Sequence, residues 1–296
     1  MAFTLLVLAA GMGSRYGGLK QIDPVGPAGE MMLDYAVFDA LRAGCGRVVF
    51  VIRPDFEEVF RAKVGARYAG RIAVDYAFQS VQLLPEGVAA PAGREKPWGT
   101  GHAVWCARDA VRENFAVINA DDFYGADSFR QLADFLVTAR GAQFALAGFR
   151  LDRTLSEHGA VSRGICRTDA AGFLASVTEE TGILPAQVGA GRKFSGTEIV
   201  SMNCWAFTPA LFPRLDGQLR AFLRERGTDA KAEFYLPAAV SDMVARREAA
   251  VRVLPAGGTW FGVTYREDKP RVQAALAALV REGLYPAPLF EQEKGR

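Results

Sequence analysis

Residues 8–21 read LAAGMGSRYGGLKQ, in which Gly11, Gly13, Gly17 and Gly18 are interleaved with the cations Arg15 and Lys20. Glycines let main-chain N–H groups crowd around an anion, and two positive side chains add to the same field; the chemistry that fits is phosphate binding. Spacing separates the known glycine loops. A dinucleotide loop needs G-x-G-x-x-G, but Tyr16 follows Gly11-Met12-Gly13-Ser14-Arg15. A P-loop needs G-x-x-x-x-G-K-[ST], but Leu19-Lys20-Gln21 follows Gly18. Neither spacing holds, which argues against an NAD-dependent oxidoreductase. A plain strand-to-helix turn with exposed basic residues is the structural alternative.

Three further stretches carry polar groups at the ends of apolar runs. Gln79 closes one, Trp98-Gly99-Thr100-Gly101-His102 opens a helical segment, and Val117-Ile118-Asn119-Ala120 ends in Asp121-Asp122. Hard carboxylate oxygen suits Mg²⁺, which takes one or two protein carboxylates and fills its shell with phosphate and water. Cations, an amide and a carboxylate pair together form the set that a magnesium-bound triphosphate needs. Each piece also has a duller reading: Asp121 and Asp122 as turn formers before Gly125, Thr100 as an N-cap, His102 as a structural hydrogen-bonder. His102 and His158 are the only histidines, so a Ser-His-Asp arrangement or a histidine metal cluster is not available.

Placing these residues on one rim requires alternating strands and helices. Phe3 to Ala9 has the near-continuous apolarity of a strand buried on both faces. Met31 to Ala43 has helical spacing and stops at Gly44, Arg47 to Ile52 is β-rich, Asp55 can cap a helix reaching Tyr68, and Ile72 to Phe78 is a third strand. This βαβαβ order predicts a doubly wound, mostly parallel sheet, in which ligands collect beyond the carboxyl ends of the strands. Gln82 to Pro97 reads as a long loop able to cover a site. Helices are expected over Gly101–Arg112 and Ser128–Arg140, and strands over Phe115–Asn119 and Gln143–Phe149. From Gly159 to Phe207 the pattern becomes an antiparallel elaboration. Helices over Phe207–Arg226, Ala232–Arg246 and Asp268–Glu282 and a strand over Ala250–Leu254 follow, and the tail after Pro286 is polar enough to fray.

The 296 residues suffice for one large domain, expected as a nucleotide-binding half (1–150), a second half (151–265) and a closing helix and tail (266–296). Lys plus Arg (35) nearly balances Asp plus Glu (33), which speaks against a nucleic-acid surface or a polybasic membrane patch. Cys45, Cys106, Cys166 and Cys204 lie scattered among apolar neighbours, as buried free thiols do. No leader-like segment and no apolar run of roughly 18 residues is present, so a cytoplasmic protein is expected.

Together the motifs resemble the sugar-phosphate nucleotidyltransferase family, the NDP-sugar pyrophosphorylases. Leu8-Ala9-Ala10-Gly11-Met12-Gly13-Ser14-Arg15 resembles the family's L-A-A-G-x-G-x-R signature, with Lys20 where a loop lysine is expected. Met32-Leu33-Asp34-Tyr35 looks like the helix after that loop, and Gln79 like a base-contacting glutamine. Gly99-Thr100-Gly101-His102-Ala103-Val104 is similar to the G-T-G-H-A-V segment of the uridylyltransferase branch, which tilts the expected nucleotide towards UTP. Val117 to Asp122 resembles the segment whose first aspartate binds magnesium, and Gly159-Ala160-Val161 and Val177-Thr178-Glu179 look like sugar-facing strands.

The resemblance implies a Rossmann-like, GT-A-like fold with an antiparallel sugar-binding elaboration. It also implies Mg²⁺-dependent joining of a nucleoside triphosphate to a sugar 1-phosphate. The nucleotide contacts would be Ala10, Gly11, Gly13, Gln79, Gly99, Thr100 and Asp121; Arg15 would bear the β- and γ-phosphates, Lys20 the α-phosphate, and Asp121 the metal. Gly159, Glu179 and Asn203 are the sugar-side candidates. A phosphate's second pKa of about 6 leaves the attacking group ionised at neutral pH, so no general base is needed. Three departures stand out: Leu19 replaces a proline, Glu180 stands where a lysine commonly contacts the sugar phosphate, and Gly262 stands where many members carry a second metal aspartate. Asp122, Lys193, Lys231, Glu267 and Asp268 are the candidates to compensate. The alternatives are a catalytically silent regulatory homologue and a cytidylyltransferase acting on a non-sugar phosphate.

Overall fold

Apolar side chains on both faces of the first strands have no stable place except between two layers of helices. The computed structural model describes residues 2–11, 22–263 and 265–290. Gly13, Arg15 and Lys20 therefore lie outside the described residues.

In chain order the elements are β1 (Phe3–Leu8), α1 (Met32–Arg42), β2 (Cys45–Ile52), α2 (Glu57–Lys63), β3 (Ala73–Phe78), α3 (Thr100–Cys106), β4 (Phe115–Asn119), β5 (Asp122–Phe123) and α4 (Ala126–Thr138). They continue as β6 (Gln143–Arg150), β7 (Val161–Thr168), β8 (Leu174–Ile183), β9 (Ile199–Phe207), α5 (Leu211–Arg226), α6 (Leu236–Ala245), β10 (Ala250–Pro255), β11 (Phe261–Gly262) and α7 (Lys269–Arg281).

The main sheet runs β10-β6-β9-β4-β1-β2-β3. β4, β1, β2 and β3 are parallel neighbours, as are β10 and β6, whereas β9 lies antiparallel between β4 and β6. β7 pairs antiparallel with both β8 and β9, which is the expected elaboration. Side chains alternate between two cores. Leu5, Val7, Val48, Phe50, Ala116 and Ile118 face Leu33, Phe60 and Phe129 on one side. Leu6, Val49, Val51, Phe115 and Val117 face Trp105, Leu215 and Val240 on the other. The fold is thus the mostly parallel α/β sheet with helices on both faces that the sequence predicts, and all four cysteines are buried free thiols.

Local differences have local causes. The helix expected from Asp55 to Tyr68 breaks into the 3₁₀ turn Pro54–Phe56, α2 and the 3₁₀ turn Gly65–Tyr68. Asp55 pairs with Arg53 Nε at 2.9 Å instead of capping, and Tyr68 turns inward to donate to Asp34 Oδ1 at 2.7 Å. The helix expected to Arg112 stops at Cys106, because residues 107–110 tighten into turns with Ala107 and Ala110 bonded three residues back. The tail does not fray at Pro286: Leu289 is buried with its N–H directed at Glu30 Oε1, and the Phe290 ring packs edge-on against Phe38 and Tyr68. Two apolar anchors outweigh the polarity of the residues around them. An antiparallel pair of β5 and β11, absent from the sequence reading, joins Asp122 to Gly262 and Phe123 to Phe261.

Before α3, the main chain of Trp98–Gly101 lies directly on that of Phe234, with Gly101 N–H donating to Phe234 O at 2.9 Å. Gly99 has φ +98, and a Cβ there would sit 2.8 Å from Phe234 O; at Gly101 it would sit 2.8 Å from the Phe234 ring. Both glycines are thereby required by packing. Thr100 does not cap its own helix; Gly99 is the N-cap, and Thr100 Oγ1 instead accepts the Leu236 N–H at 3.0 Å.

A buried carboxylate ties the tail to α1. Asp39 Oδ2 accepts from Tyr285 Oη at 2.6 Å, while Oδ1 has no hydrogen-bond partner. Burial pushes this carboxyl up to about 7, against the lowering effects of Tyr285 and Arg42.

Two predictions follow from this packing. Between pH 4 and 7 Asp39 is ionised only when unfolded, so unfolding releases its proton and this contribution to stability falls as pH rises. In urea unfolding, Asp39→Asn should flatten that decline, gaining on the order of 1–4 kcal/mol over the native chain at pH 8. An unchanged slope would remove Asp39 as its cause. Gly99→Ala should lower unfolding free energy by about 2–3 kcal/mol, since it combines a left-handed φ with a main-chain collision.

Candidate functional site

Parallel register decides which loops meet. Leu8 of β1 stands opposite Val51 of β2 and Asn119 of β4, and Ile52 stands opposite Phe78 of β3. Ala9–Gly11, Gln79 and Ala120–Asp121 therefore leave the sheet along one edge. Ala10 is buried, Gly11 is exposed and Asp121 is half-buried in the turn after β4.

Gln79 is buried and rigidly held. Its Nε2 donates to Gly99 O at 3.0 Å and lies 3.2 Å from His102 Nδ1. His102 Nε2 lies 2.7 Å from Leu83 O, a pure acceptor, so Nε2 carries the ring proton and Nδ1 accepts from Gln79. Burial pushes the imidazole down to about 4, which keeps it neutral. His102 is accordingly a structural partner of Gln79. Both amide hydrogens of Gln79 are engaged inside the protein, which leaves its carbonyl Oε1 as the part able to meet a ligand.

The two aspartates after β4 are differently placed. Asp122 is buried; its Oδ2 accepts from Asn119 Nδ2 at 2.9 Å and lies 3.1 Å from Tyr124 Oη. Tyr124 Oη also accepts the Asn119 N–H at 3.1 Å and lies 2.9 Å from Met202 O. On the other side, Asp122 Oδ1 is 2.5 Å from where a Cβ on Gly262 would lie, with Trp260 Cζ2 2.9 Å from the same point. A side chain at 262 has no room while Asp122 stands there. Among the described residues no three His, Cys, Asp or Glu side chains converge as an all-protein metal cage. The half-buried carboxylate of Asp121 offers the hard oxygen that suits Mg²⁺, which draws most of its shell from phosphate and water.

The sugar-side candidates are brought together in part. Glu179 on β8 is paired across from Gly164 on β7, whose missing Cβ would lie 3.5 Å from Glu179 Oε2 and 3.5 Å from Ser201 Cβ on β9. Desolvation raises the Glu179 carboxyl, with the Arg163 cation opposing it. Two residues beyond Ser201, Asn203 has φ 56, a left-handed conformation rare outside glycine. It lies where β9 carries extra residues relative to β6. Its Nδ2 reaches Asn119 Oδ1 at 3.4 Å, joining it to Asp122 through Asn119. Asn is among the few residues that adopt this conformation readily, and bulges of this kind occur next to active sites as well as at sheet edges. Gly159 is placed differently: a Cβ there would be 2.5 Å from Tyr265 Oη, which donates to Ala160 O at 2.8 Å, so it makes room for that ring.

Of the compensating candidates, Lys193 is ion-paired with Glu180 at 3.0 Å, and Asp268 is buried against Ser156 Oγ at 2.9 Å and Tyr265 N–H at 2.8 Å. Lys231 and Glu267 are exposed. Only Asp122 lies at Gly262. Arg163, unmarked in the sequence, is a buried cation whose Nε donates to Thr154 Oγ1 at 3.1 Å and whose guanidinium lies 5.2 Å from the Trp260 ring centre. Burial pushes it down to about 10, with Asp122, Glu179 and Asp268 pulling the other way. A single arginine in a strand gives no sequence signal of such a place.

The fold has solved counterparts. A Bacillus anthracis protein assigned as a glucose-1-phosphate thymidylyltransferase, in complex with sucrose, superposes with a TM-score of 0.64 at 14% identity, covering 93% of this chain and 95% of that one. A UDP-glucose pyrophosphorylase complexed with UDP-glucose gives 0.60 at 17% identity over 94% and 99% of the two chains. The inositol-1-phosphate CTP transferase of T. maritima gives 0.63 at 14% identity over 95% and 97%. At such identity they establish the fold. Among curated proteins the chain has no significant match. Among the described residues no helix is long and apolar enough to cross a membrane. The nucleotidyl transferase family model matches residues 5–179, from β1 through Glu179, and the chain belongs to that family.

Proposed function

We propose that the protein transfers a nucleotidyl group from a nucleoside triphosphate to a sugar 1-phosphate, releasing pyrophosphate, with Mg²⁺ held at Asp121. The observation that carries this reading is the shared edge at which Ala10–Gly11, Gln79 and Asp121 emerge from β1, β3 and β4. The acceptors named in the similar structures, a glucose 1-phosphate and an inositol 1-phosphate, are both phosphates on polyhydroxylated rings.

In this reading Ala10, Gly11 and Gly13 approach the nucleotide through the main chain, Arg15 bears the β- and γ-phosphates and Lys20 the α-phosphate. Gln79 reads the base with the Gly99–Gly101 loop beside it. A carbonyl acceptor at Oε1 suits a base edge that presents an N–H, which every nucleobase has, so UTP is the first nucleotide to test only on the similarity of Gly99–Val104 to the uridylyltransferase segment. Glu179 and Asn203 receive the hydroxyls of the acceptor, and Gly159 flanks them. The bound ion supplies neutralisation of phosphate charge. The acceptor phosphate is already ionised near neutral pH, so the protein aligns two anions and bears the charge that develops on the leaving pyrophosphate. His102, neutral and engaged with Gln79 and Leu83, takes no proton from the acceptor.

A second reading, cytidylyl transfer to a phosphate that is not a hexose phosphate, is favoured by the inositol-1-phosphate CTP transferase among the similar structures. A silent regulatory homologue is the third, given Glu180 and Gly262.

Pyrophosphate release across UTP, CTP, dTTP, ATP and GTP, each with several hexose 1-phosphates and inositol 1-phosphate, should identify one productive pair, with its product fixed by mass. Nucleotide binding without turnover on any pair would select the regulatory reading. With that pair, Lys20→Ala should lower kcat on the order of 10²-fold while nucleotide affinity falls less than about tenfold. An unchanged kcat would sink the assignment. Asp121→Asn should abolish metal-dependent turnover, and full activity of this variant at limiting Mg²⁺ would exclude it as a ligand.

A further inference from the structure

We infer that Arg94 is a positioning residue of the nucleotide site: it clasps the connection between α5 and α6 against the main chain before Trp98, and so sets where Gly99, Gly101 and Gln79 stand. The inference rests on the base-reading role proposed above for Gln79.

Arg94 is buried, and its guanidinium lies flat enough on Trp98 to bring Cζ to 3.4 Å from the ring centre. Among the described residues its hydrogen bonds all go to main-chain carbonyls. Nε donates to Lys96 O at 3.0 Å and Nη2 to Pro97 O at 3.4 Å, just before Trp98. Nη1 donates to Asp229 O at 2.9 Å and Nη2 also to Ala232 O at 2.6 Å, which lie 135 and 138 residues further along the chain. A planar fork with donors on three nitrogens can hold two segments in this way while stacking on an indole, and a lysine ammonium cannot. Lys96 repeats the tie nearer the surface, pairing with Glu233 Oε1 at 2.5 Å and donating to Lys231 O at 3.4 Å.

The clasped segment continues directly into the contact that shapes the loop before α3. Phe234 N–H donates to Trp98 O at 2.6 Å, Gly101 N–H to Phe234 O at 2.9 Å, and Leu236 N–H to Thr100 Oγ1 at 3.0 Å. Gly99 and Gly101 have no side chains with which to anchor themselves, so the backbone of Phe234 is their template. Gly99 O in turn accepts from Gln79 Nε2 at 3.0 Å. The chain of contacts thus runs from Arg94 through Ala232 and Phe234 to Gly99, and from there to the Gln79 amide. Residues 229–236 lie beyond 5–179, the stretch that the family model matches. Ala10–Gly11 and Asp121 leave β1 and β4, which have their own ladder, so the clasp bears on the base end of a nucleotide and not on its phosphates.

The test is calorimetric binding of UTP, CTP, dTTP, ATP, GTP and inorganic tripolyphosphate to the full-length chain. The native chain should bind at least one nucleotide more tightly than tripolyphosphate, the excess being what base and ribose contribute. Arg94→Met keeps the length of the side chain and loses the fork; it should weaken that nucleotide about tenfold and leave tripolyphosphate within about twofold. Arg94→Lys keeps the charge and should behave like Arg94→Met. In a Gln79→Ala background Arg94→Met should cost less than about threefold, because both substitutions then act on one contact. A merely structural Arg94 would lower Tm and leave the ratio of nucleotide to tripolyphosphate affinity unchanged. If Arg94→Met does not fold, Glu233→Gln, which breaks only the outer pair with Lys96, decides in its place, with an expected loss of about threefold in nucleotide affinity. An unchanged affinity ratio in the deciding variant would overturn the inference, as would an undiminished loss in the Gln79→Ala background or a native chain that binds no nucleotide more tightly than tripolyphosphate. If no triphosphate and acceptor pair turns over and the ratio still falls in Arg94→Met, the transfer reading fails and this inference stands. If turnover is found and the ratio does not move, only this inference fails.

Discussion

The antiparallel pairing of β9 with both β4 and β6 is the contact on which the rest depends. Phe115 to Val117 of β4 pair with Phe207 to Trp205, while Phe149 and Arg150 of β6 pair with Val200 and Ile199. One strand thereby stitches the segment that follows β6 into the sheet that begins at β1. Because β7 hangs on the same strand, Glu179 on β8 is fixed relative to β4 by three successive ladders. Without this wedge the sugar-side candidates and the edge at Ala10, Gln79 and Asp121 would have no shared frame.

Where β9 passes the end of β4 it cannot stay regular. Its extra residues relative to β6 place Asn203 in a left-handed conformation, and the Asn119 amide bridges it to Asp122. Tyr124 seals the base of this network against Met202. The edge proposed to bind nucleotide and the side proposed to bind the acceptor are therefore linked through three short polar side chains. Arg163 adds a buried positive charge that interacts with Asp122 and Glu179 and opposes the desolvation that raises the Glu179 carboxyl.

The parallel core was legible because period-2 burial on both faces leaves an unmistakable run of Leu, Val and Phe, and because glycine-rich exits from such runs have few uses. Gln79 and Asp121 were legible as polar residues ending those runs. The break in the helix around Gly65, the docking of Phe290 and the β5–β11 pair were not. Each depends on a partner more than ten residues away: Tyr76 at Gly65, Phe38 and Tyr68 at Phe290, Phe123 at Phe261.

By itself the sequence determined the fold class, the glycines and cations that follow β1, and the polar residues that end β3 and β4, since all of these follow from local pattern and the direction of parallel strands. Only the tertiary structure decided what Gly99, Gly159 and Gly262 are for. A glycine's role is set by what lies where its Cβ would be, and Phe234, Tyr265 and Asp122 come from distant or opposed strands and loops. In the same way Gly262 reads in sequence as a missing carboxylate, whereas in space the carboxylate of Asp122 stands beside it.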